Sequence, residues 1–400
     1  MNSYLAKLQP YPFEKLRILF DSVAASSAYS RIELHIGEPK HATPEFIKRA
    51  VADSLSGLAQ YPATAGTPLL RETIALWLQR RYHLPKVDPA TQVLPINGSR
   101  EALFAIGQLL VQARVGEQIP LVISPNPFYQ IYEGAALLSG AETYFVNALP
   151  ENAFAMDYGA VPNEIWQRVQ LVFTCSPANP SGRVMSIADW KLLFELSDRH
   201  GFVIASDECY SELYFDESHP PLGGLQAAQQ LGRADFPRLL VFSSLSKRSN
   251  VPGMRSGFVA GDAGLIKAFL LYRTYHGSAM SNTIQTASIA AWNDETHVLE
   301  NRRVYAAKFQ AVLPLIKAPL LTTHPEAGFY FWVRTPVDDT IFARDFLEAY
   351  NVTVLPGSYL AREVLGVNPG RNHIRLALVA PIDDCVEAAR RLNEFSKRYQ

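Results

Sequence analysis

Leu239-Leu240-Val241-Phe242-Ser243-Ser244-Leu245-Ser246-Lys247-Arg248-Ser249-Asn250-Val251-Pro252-Gly253-Met254-Arg255 runs from four apolar residues into hydroxyls, a lysine and a Gly-Met-Arg. The apolar run has the length and content of a short buried strand. A lysine at the mouth of a strand is, taken singly, most often a solvated charge. Here Ser244 and Ser246 stand within the three residues before Lys247, and Arg255 follows eight residues after it. Hydroxyls and a guanidinium converge well on a phosphate. A lysine beside a phosphate ester suggests a Schiff-base amine that holds a phosphorylated aldehyde. The rest of the chain has to supply the other parts of such a site.

Outward from this stretch, strand-like runs recur at 92–96, 121–124, 143–146, 170–174, 202–206, 239–243 and 257–260. Helix-length amphipathic segments lie between many of them, as at 101–113, 129–138 and 187–200. Continuous apolar strands separated by helices predict an α/β fold with a mainly parallel seven-stranded sheet covered on both faces. In such sheets the polar residues at the carboxyl ends of strands tend to form the ligand site. Beyond about residue 280 the pattern changes to a long, interrupted helical stretch at 282–315, strands at 328–333 and 374–379, and helices at 341–350 and 383–399. That predicts a smaller α+β domain. The boundaries fall at 40–285 for the large domain, with 1–39 and 286–400 together forming the small one.

The 400 residues carry 37 Lys and Arg against 38 Asp and Glu, and the basic residues are scattered. This balance gives no footprint for nucleic acid or an anionic membrane. No apolar run approaches the ~20 residues of a membrane helix. The three cysteines, Cys175, Cys209 and Cys385, are far apart and lack a paired metal spacing, which favours reduced thiols over a disulfide framework. A cytoplasmic protein is expected.

Several strand ends carry residues that read two ways. Gly98-Ser99-Arg100 opens a helix, where Ser99 is either a simple N-cap or one wall of an anion site. Tyr129, in Pro125-Asn126-Pro127-Phe128-Tyr129, either packs in the core or stacks on a flat ring. Asn179-Pro180-Ser181-Gly182 is a common turn whose amide is also placed to reach a ligand oxygen. Asp207, in Asp207-Glu208-Cys209-Tyr210, is either a cap or a buried carboxylate that keeps a pyridine nitrogen protonated. Arg375 lies inside an apolar run and needs a partner: a salt bridge within the chain, or a substrate carboxylate.

Taken in order, these residues resemble the fold-type I pyridoxal-phosphate aminotransferases of the aspartate aminotransferase class. The motifs are Gly37-Glu38-Pro39, Tyr61 with Gly66 and Leu70-Arg71, Gly98-Ser99-Arg100, Asn179-Pro180-Ser181-Gly182, Asp207-Glu208-Cys209-Tyr210, Ser244-Leu245-Ser246-Lys247 with Arg255, and Arg375. Each is weak alone, but the ordered set covers almost the whole chain. The resemblance implies pyridoxal 5'-phosphate as cofactor, with Lys247 as the Schiff-base lysine and proton shuttle. It puts Asp207 on the ring nitrogen, Tyr210 and Asn179 on the ring oxygen, and Tyr129 on the ring face. Ser99, Arg100, Ser244, Ser246 and Arg255 would surround the phosphate. Arg375 would grip the substrate α-carboxylate, helped by the Gly37 backbone. Tyr61 resembles the tyrosine that reaches the phosphate from a neighbouring subunit, which implies a homodimer.

Ser181, where threonine is commoner, Gln130, where proline often follows, and the bulky Arg100 depart from the usual pattern. Arg100 leaves open whether its side chain or only its backbone meets the phosphate. Within the class, the segments 10–16, 37–41 and 126–136 resemble the proteobacterial succinyldiaminopimelate aminotransferases. That implies glutamate as amino donor and a succinylated keto acid as acceptor. The alternatives are an aminotransferase for aspartate, alanine or aromatic amino acids, a C–S lyase of the same fold, and a cofactor-bound regulatory protein without turnover.

Overall fold

The computed structural model describes residues 3–112 and 118–400. Its strands are β1 (Ile32–Glu33), β2 (Val93–Ile96), β3 (Leu121–Asn126), β4 (Glu142–Asn147), β5 (Val169–Cys175), β6 (Val203–Asp207), β7 (Leu239–Ser244), β8 (Gly257–Gly261), β9 (Tyr330–Arg334), β10 (Val352–Thr353), β11 (Leu355–Pro356) and β12 (His373–Ala377). All seven runs expected between residues 92 and 260 form strands, and they join one sheet in the order β2-β8-β7-β6-β5-β3-β4. The pairs from β4 through β7 are parallel, and β8 is antiparallel to both of its neighbours.

Alternation along the strands divides the core. Leu239 and Val241 of β7 point into a cluster with Trp77, Trp190, Leu193 and Ala287 on one face. Leu240 and Phe242 point into a second cluster with Ile106, Tyr132, Ala135 and Phe269 on the other. A strand apolar on both sides is what a sheet covered by helices on both faces requires. Each such Leu or Phe removed from water contributes on the order of 1.5–3 kcal/mol.

The helices follow their sequence signals closely. Ile187–His200 matches its expected span, with Ser186 and Asp189 forming a capping box and Gly201 closing the C-terminus at φ 80°. The helix expected at 101–113 runs Ser99–Leu110, and Ala113 lies outside the described residues. Ala263–His276 was not anticipated. It buries only Ile266, Phe269 and Arg273, while its other apolar residues, the exposed Leu271 and Tyr275 among them, are spread round the helix and blur the amphipathic period. Arg273 is fully buried and pairs with Glu101 at 2.7 Å.

The second layer is built on a three-stranded sheet, β11-β12-β9. Helices Asp339–Tyr350 and Ile382–Ser396 cover it through Phe342, Phe346, Ala388, Leu392 and Phe395. β1 pairs in parallel with β10 through Ile32–Val352 and Glu33–Thr353, which ties the N-terminal segment to this layer. Among the described residues, no helix is long and apolar enough to cross a membrane.

Candidate active site

The chemistry gathers along one edge of the large sheet. β5, β6 and β7 lie in parallel register, with Cys175 beside Asp207 and Asp207 beside Phe242, so β5 and β6 end level and β7 runs two residues further to Ser244. Asp207 ends β6 and is 5% exposed. Its Oδ2 accepts from the Tyr132 hydroxyl at 2.7 Å, and its Oδ1 from the Cys209 amide at 3.2 Å. Among the described residues no cation stands within ion-pair distance. Burial raises its pKa above the usual aspartate value, while the two hydrogen bonds pull it down. A buried carboxylate without a counter-ion is costly unless a ligand supplies the positive group.

Lys247 sits in the short helix Leu245–Arg248 that follows β7. Its Nζ donates to the Gly37 carbonyl oxygen. Burial is the main reason its pKa falls to about 8. The Arg375 and Arg255 guanidiniums push the same way, against Cys209 and Glu38. An amine near that value is uncharged often enough to act as nucleophile and base.

Gly98, Ser99, Arg100, Ser244, Ser246 and Arg255 converge at one end of the cleft, but not all in the expected manner. Gly98, rather than Ser99, is the N-cap of helix Ser99–Leu110, at φ 84° and ψ 151°, a backbone conformation essentially reserved for glycine. A Cβ there would run into the Arg255 guanidinium. Ser99 occupies the first helical turn, and its Oγ accepts from the Cys209 thiol at 3.0 Å. Ser244 caps the Lys247 helix, with its Oγ accepting from the Ser246 amide at 3.1 Å and lying 2.9 Å from the Ser246 hydroxyl. The Arg100 side chain turns to the Tyr129 hydroxyl at 2.6 Å. Arg100 is exposed at the lining of the cleft, and no carboxylate lies within ion-pair distance of it among the described residues.

Arg375 enters from the smaller sheet on β12 and is 3% exposed. Its guanidinium donates to Asn179 Oδ1 and to the His35 carbonyl, each at 3.0 Å, and lies over the Tyr330 ring. Its Nε has no partner. No carboxylate lies within ion-pair distance among the described residues, so the salt-bridge alternative has no acid to use. Tyr210 meets Tyr330, hydroxyl to hydroxyl at 3.0 Å. Gly37 has the Tyr330 hydroxyl where a Cβ would go.

These groups line a cleft of about 510 Å³ that contains Gly37, Ser99, Arg100, Tyr129, Asn179, Asp207, Tyr210, Ser244, Ser246, Lys247, Arg255 and Arg375. Tyr61 is the exception. It stands fully exposed on the surface, away from this chain's own cleft. Sequence reasoning missed Tyr132 and Tyr330, whose hydroxyls orient Asp207 and Tyr210. Their only signals were a second tyrosine one turn after Tyr129, and the aromatic run Phe329-Tyr330-Phe331-Trp332.

Residues 30–392 match the family model of aminotransferase class I and II. The chain belongs to the class I and II aminotransferases. It is 31% identical to an LL-diaminopimelate aminotransferase of Nitratidesulfovibrio vulgaris (strain DP4) over 97% of both chains. The structure superposes on an aminotransferase of Neisseria meningitidis Z2491 with a TM-score of 0.95 and 51% identity, covering all of both chains. An aminotransferase of Helicobacter pylori 26695 follows with a TM-score of 0.88 and 34% identity, over 98% of this chain and 99% of that one. Aminotransferases of this class work with pyridoxal 5'-phosphate. The aminotransferase cleft suits that cofactor: an uncompensated buried carboxylate, a depressed lysine, and an anion end at which only glycine fits position 98.

Proposed function

We propose that this pyridoxal-phosphate aminotransferase moves an amino group from glutamate to N-succinyl-2-amino-6-oxopimelate, in the route to diaminopimelate and lysine. When bound, the cofactor supplies an aldehyde that joins amino groups and a protonated pyridine that takes up the electron pair released at the substrate α-carbon. Lys247 Nζ would be the amine that holds the cofactor's aldehyde, and it would serve as the base that moves the proton at the substrate α-carbon. Asp207, held by the Tyr132 hydroxyl, would keep the ring nitrogen protonated, Asn179 and Tyr210 would hold the ring oxygen, and Tyr129 would cover the ring. Ser99, Ser244, Ser246, Arg255 and the amides that follow Gly98 take the phosphate. Arg375 binds the α-carboxylate as a planar fork, with the Gly37 backbone beside it.

The observation that carries the reaction class is a single cleft holding a depressed lysine together with a buried aspartate and a buried arginine that have no ion-pair partner among the described residues. Arg100 supports the substrate reading. With Arg255 given to phosphate and Arg375 to the α-carboxylate, Arg100 is a further guanidinium in the cleft lining with no ion-pair partner among the described residues, and the acceptor carries further carboxylates. The exposed Tyr61 fits a homodimer in which it completes the neighbour's site, and three unpaired cysteines fit a cytoplasmic setting.

The diaminopimelate aminotransferase relative favours a second reading, direct amino transfer on the unsuccinylated skeleton. The test supplies L,L-diaminopimelate, its N-succinyl derivative, aspartate, alanine and phenylalanine as donors to 2-oxoglutarate. Highest kcat/KM with the succinyl compound is expected. A preference for free L,L-diaminopimelate selects the second reading, and ammonia release without an acceptor contradicts both.

A further inference from the structure

Lys308 is a lysine 1% exposed with no carboxylate in reach among the described residues. It lies on the helix Thr296–Val312, on the same face as Asn301 seven residues earlier. Its Nζ donates to the Leu378 carbonyl at 3.0 Å and lies 2.7 Å from His41 Nε2. His41 Nδ1 is 2.9 Å from Asn301 Oδ1, and Asn301 Nδ2 donates to the carbonyls of Lys247 and Arg248 at 3.2 and 3.4 Å. Asn250 Nδ2 closes the cluster on Asn301 Oδ1 at 3.1 Å.

Each link sets the next. The Lys247 and Arg248 carbonyls take the nitrogen end of the Asn301 amide, so its oxygen end faces His41 Nδ1. Nδ1 then carries the single proton of the neutral ring, and the bare Nε2 accepts from Lys308. Burial, the largest influence on both His41 and Lys308, favours their uncharged forms, which this pattern accepts. His41 also belongs to the segment whose Gly37 carbonyl receives Lys247 Nζ. The relay thus holds both ends of one residue: Asn301 takes the Lys247 backbone, and His41 anchors the segment that meets its amine.

We propose that Lys308, His41 and Asn301 are positioning residues that fix the Lys247 amine relative to Gly37 and the cleft, through a directed chain of hydrogen bonds. None of the three lines the cleft. The proposal rests on Lys247 being the reactive amine. Positioning errors of about an ångström cost on the order of 100-fold in turnover, so a buried relay of this kind has a measurable consequence.

The test compares holoenzymes of the wild type, Lys308→Met, Lys308→Gln and Asn301→Asp. Met keeps the length without a donor, Gln restores an N–H without charge, and Asp still accepts from His41 but cannot donate to Lys247. The readouts are the midpoint pH of the cofactor's visible absorbance change, and kcat against KM for the amino donor. The groups facing the amine, Cys209, Glu38, Asp207, Arg255 and Arg375, are untouched, so a moved midpoint reports the relay. Lys308→Met and Asn301→Asp are expected to shift the midpoint and lower kcat about tenfold, with donor KM within about twofold and Lys308→Gln restoring most of both. A wild-type midpoint and kcat in either variant, or Gln behaving as Met does, overturns the relay. Should Lys308→Met give no folded protein, Asn301→Asp decides. A visible band that survives Lys247→Ala overturns instead the reading of Lys247 itself.

Discussion

Arg375 shows how a residue's role follows from what it lacks. A guanidinium with one amide oxygen and one carbonyl as acceptors, an orphaned Nε and no acid nearby is poised for a planar anion. Arg375→Lys keeps the charge and loses the fork. KM for amino acid donors should rise by the worth of a charged hydrogen bond, about 1.5–3 kcal/mol or roughly 10- to 100-fold, with the fold unchanged. Steady-state kinetics on the purified variant checks it, and an unmoved KM makes Arg375 structural. The sequence placed the arginine in an apolar strand and left two explanations open. Only the absence of an acid in three dimensions separates them. Tyr132 and Tyr330 were illegible for the converse reason. Their chains look like core packing, and only the hydroxyl positions reveal what they hold.

Strand ends explain the rest of the site. β6 delivers Asp207 into the cleft, and the next residue turns to the opposite side. Glu208 is buried there, accepting from the Gly224 amide at 2.7 Å and the Ser206 hydroxyl at 3.0 Å, and pinning helix Gly224–Gln230 to the sheet. Burial lifts its pKa to about 7 from an ordinary 4.5. In the unfolded chain this carboxyl loses its proton near 4.5, whereas in the folded chain it keeps it to about 7. Stability from this group is therefore present at low pH and lost as pH rises through that window. Glu208→Gln preserves the acceptor and removes the titration. Between pH 4.5 and 7 the wild type should lose up to about 3 kcal/mol relative to the variant, read by urea unfolding at each pH. Parallel curves for the two proteins would show that Glu208 titrates normally. Elements of this kind were legible because strand periodicity and turn residues are local. The Gly98 cap was not, since the Arg255 guanidinium that occupies the space of its missing Cβ lies more than 150 residues away in the chain.

At the scale of the molecule, the large sheet could be anticipated because its central strands are apolar on both faces, while only the edge strand β4 is largely uncovered. The second layer announced itself by a change of pattern near residue 280. The short strands β1, β10 and β11 carry two residues each and leave no periodic signal, yet β1 and β10 tie the N-terminal segment to the small sheet. That tie brings Gly37 to a cleft whose other walls come from the N-terminal Tyr11–Phe13, from the large sheet's strand ends and from Tyr330, Leu360 and Arg375, with His35 and His41 behind the wall. Long-range assembly of this kind is what a linear pattern carries least, and the pairing of His41 with Lys308 across 267 residues was invisible in it. The central claim is that all these segments converge on one reactive amine. Its most direct test is the Lys247→Ala holoenzyme, scanned for visible absorbance with and without glutamate and assayed for transfer to 2-oxo acids. Loss of the glutamate-responsive band and of nearly all turnover, in a protein that still folds, is the expected result; a responsive band with undiminished transfer would contradict it.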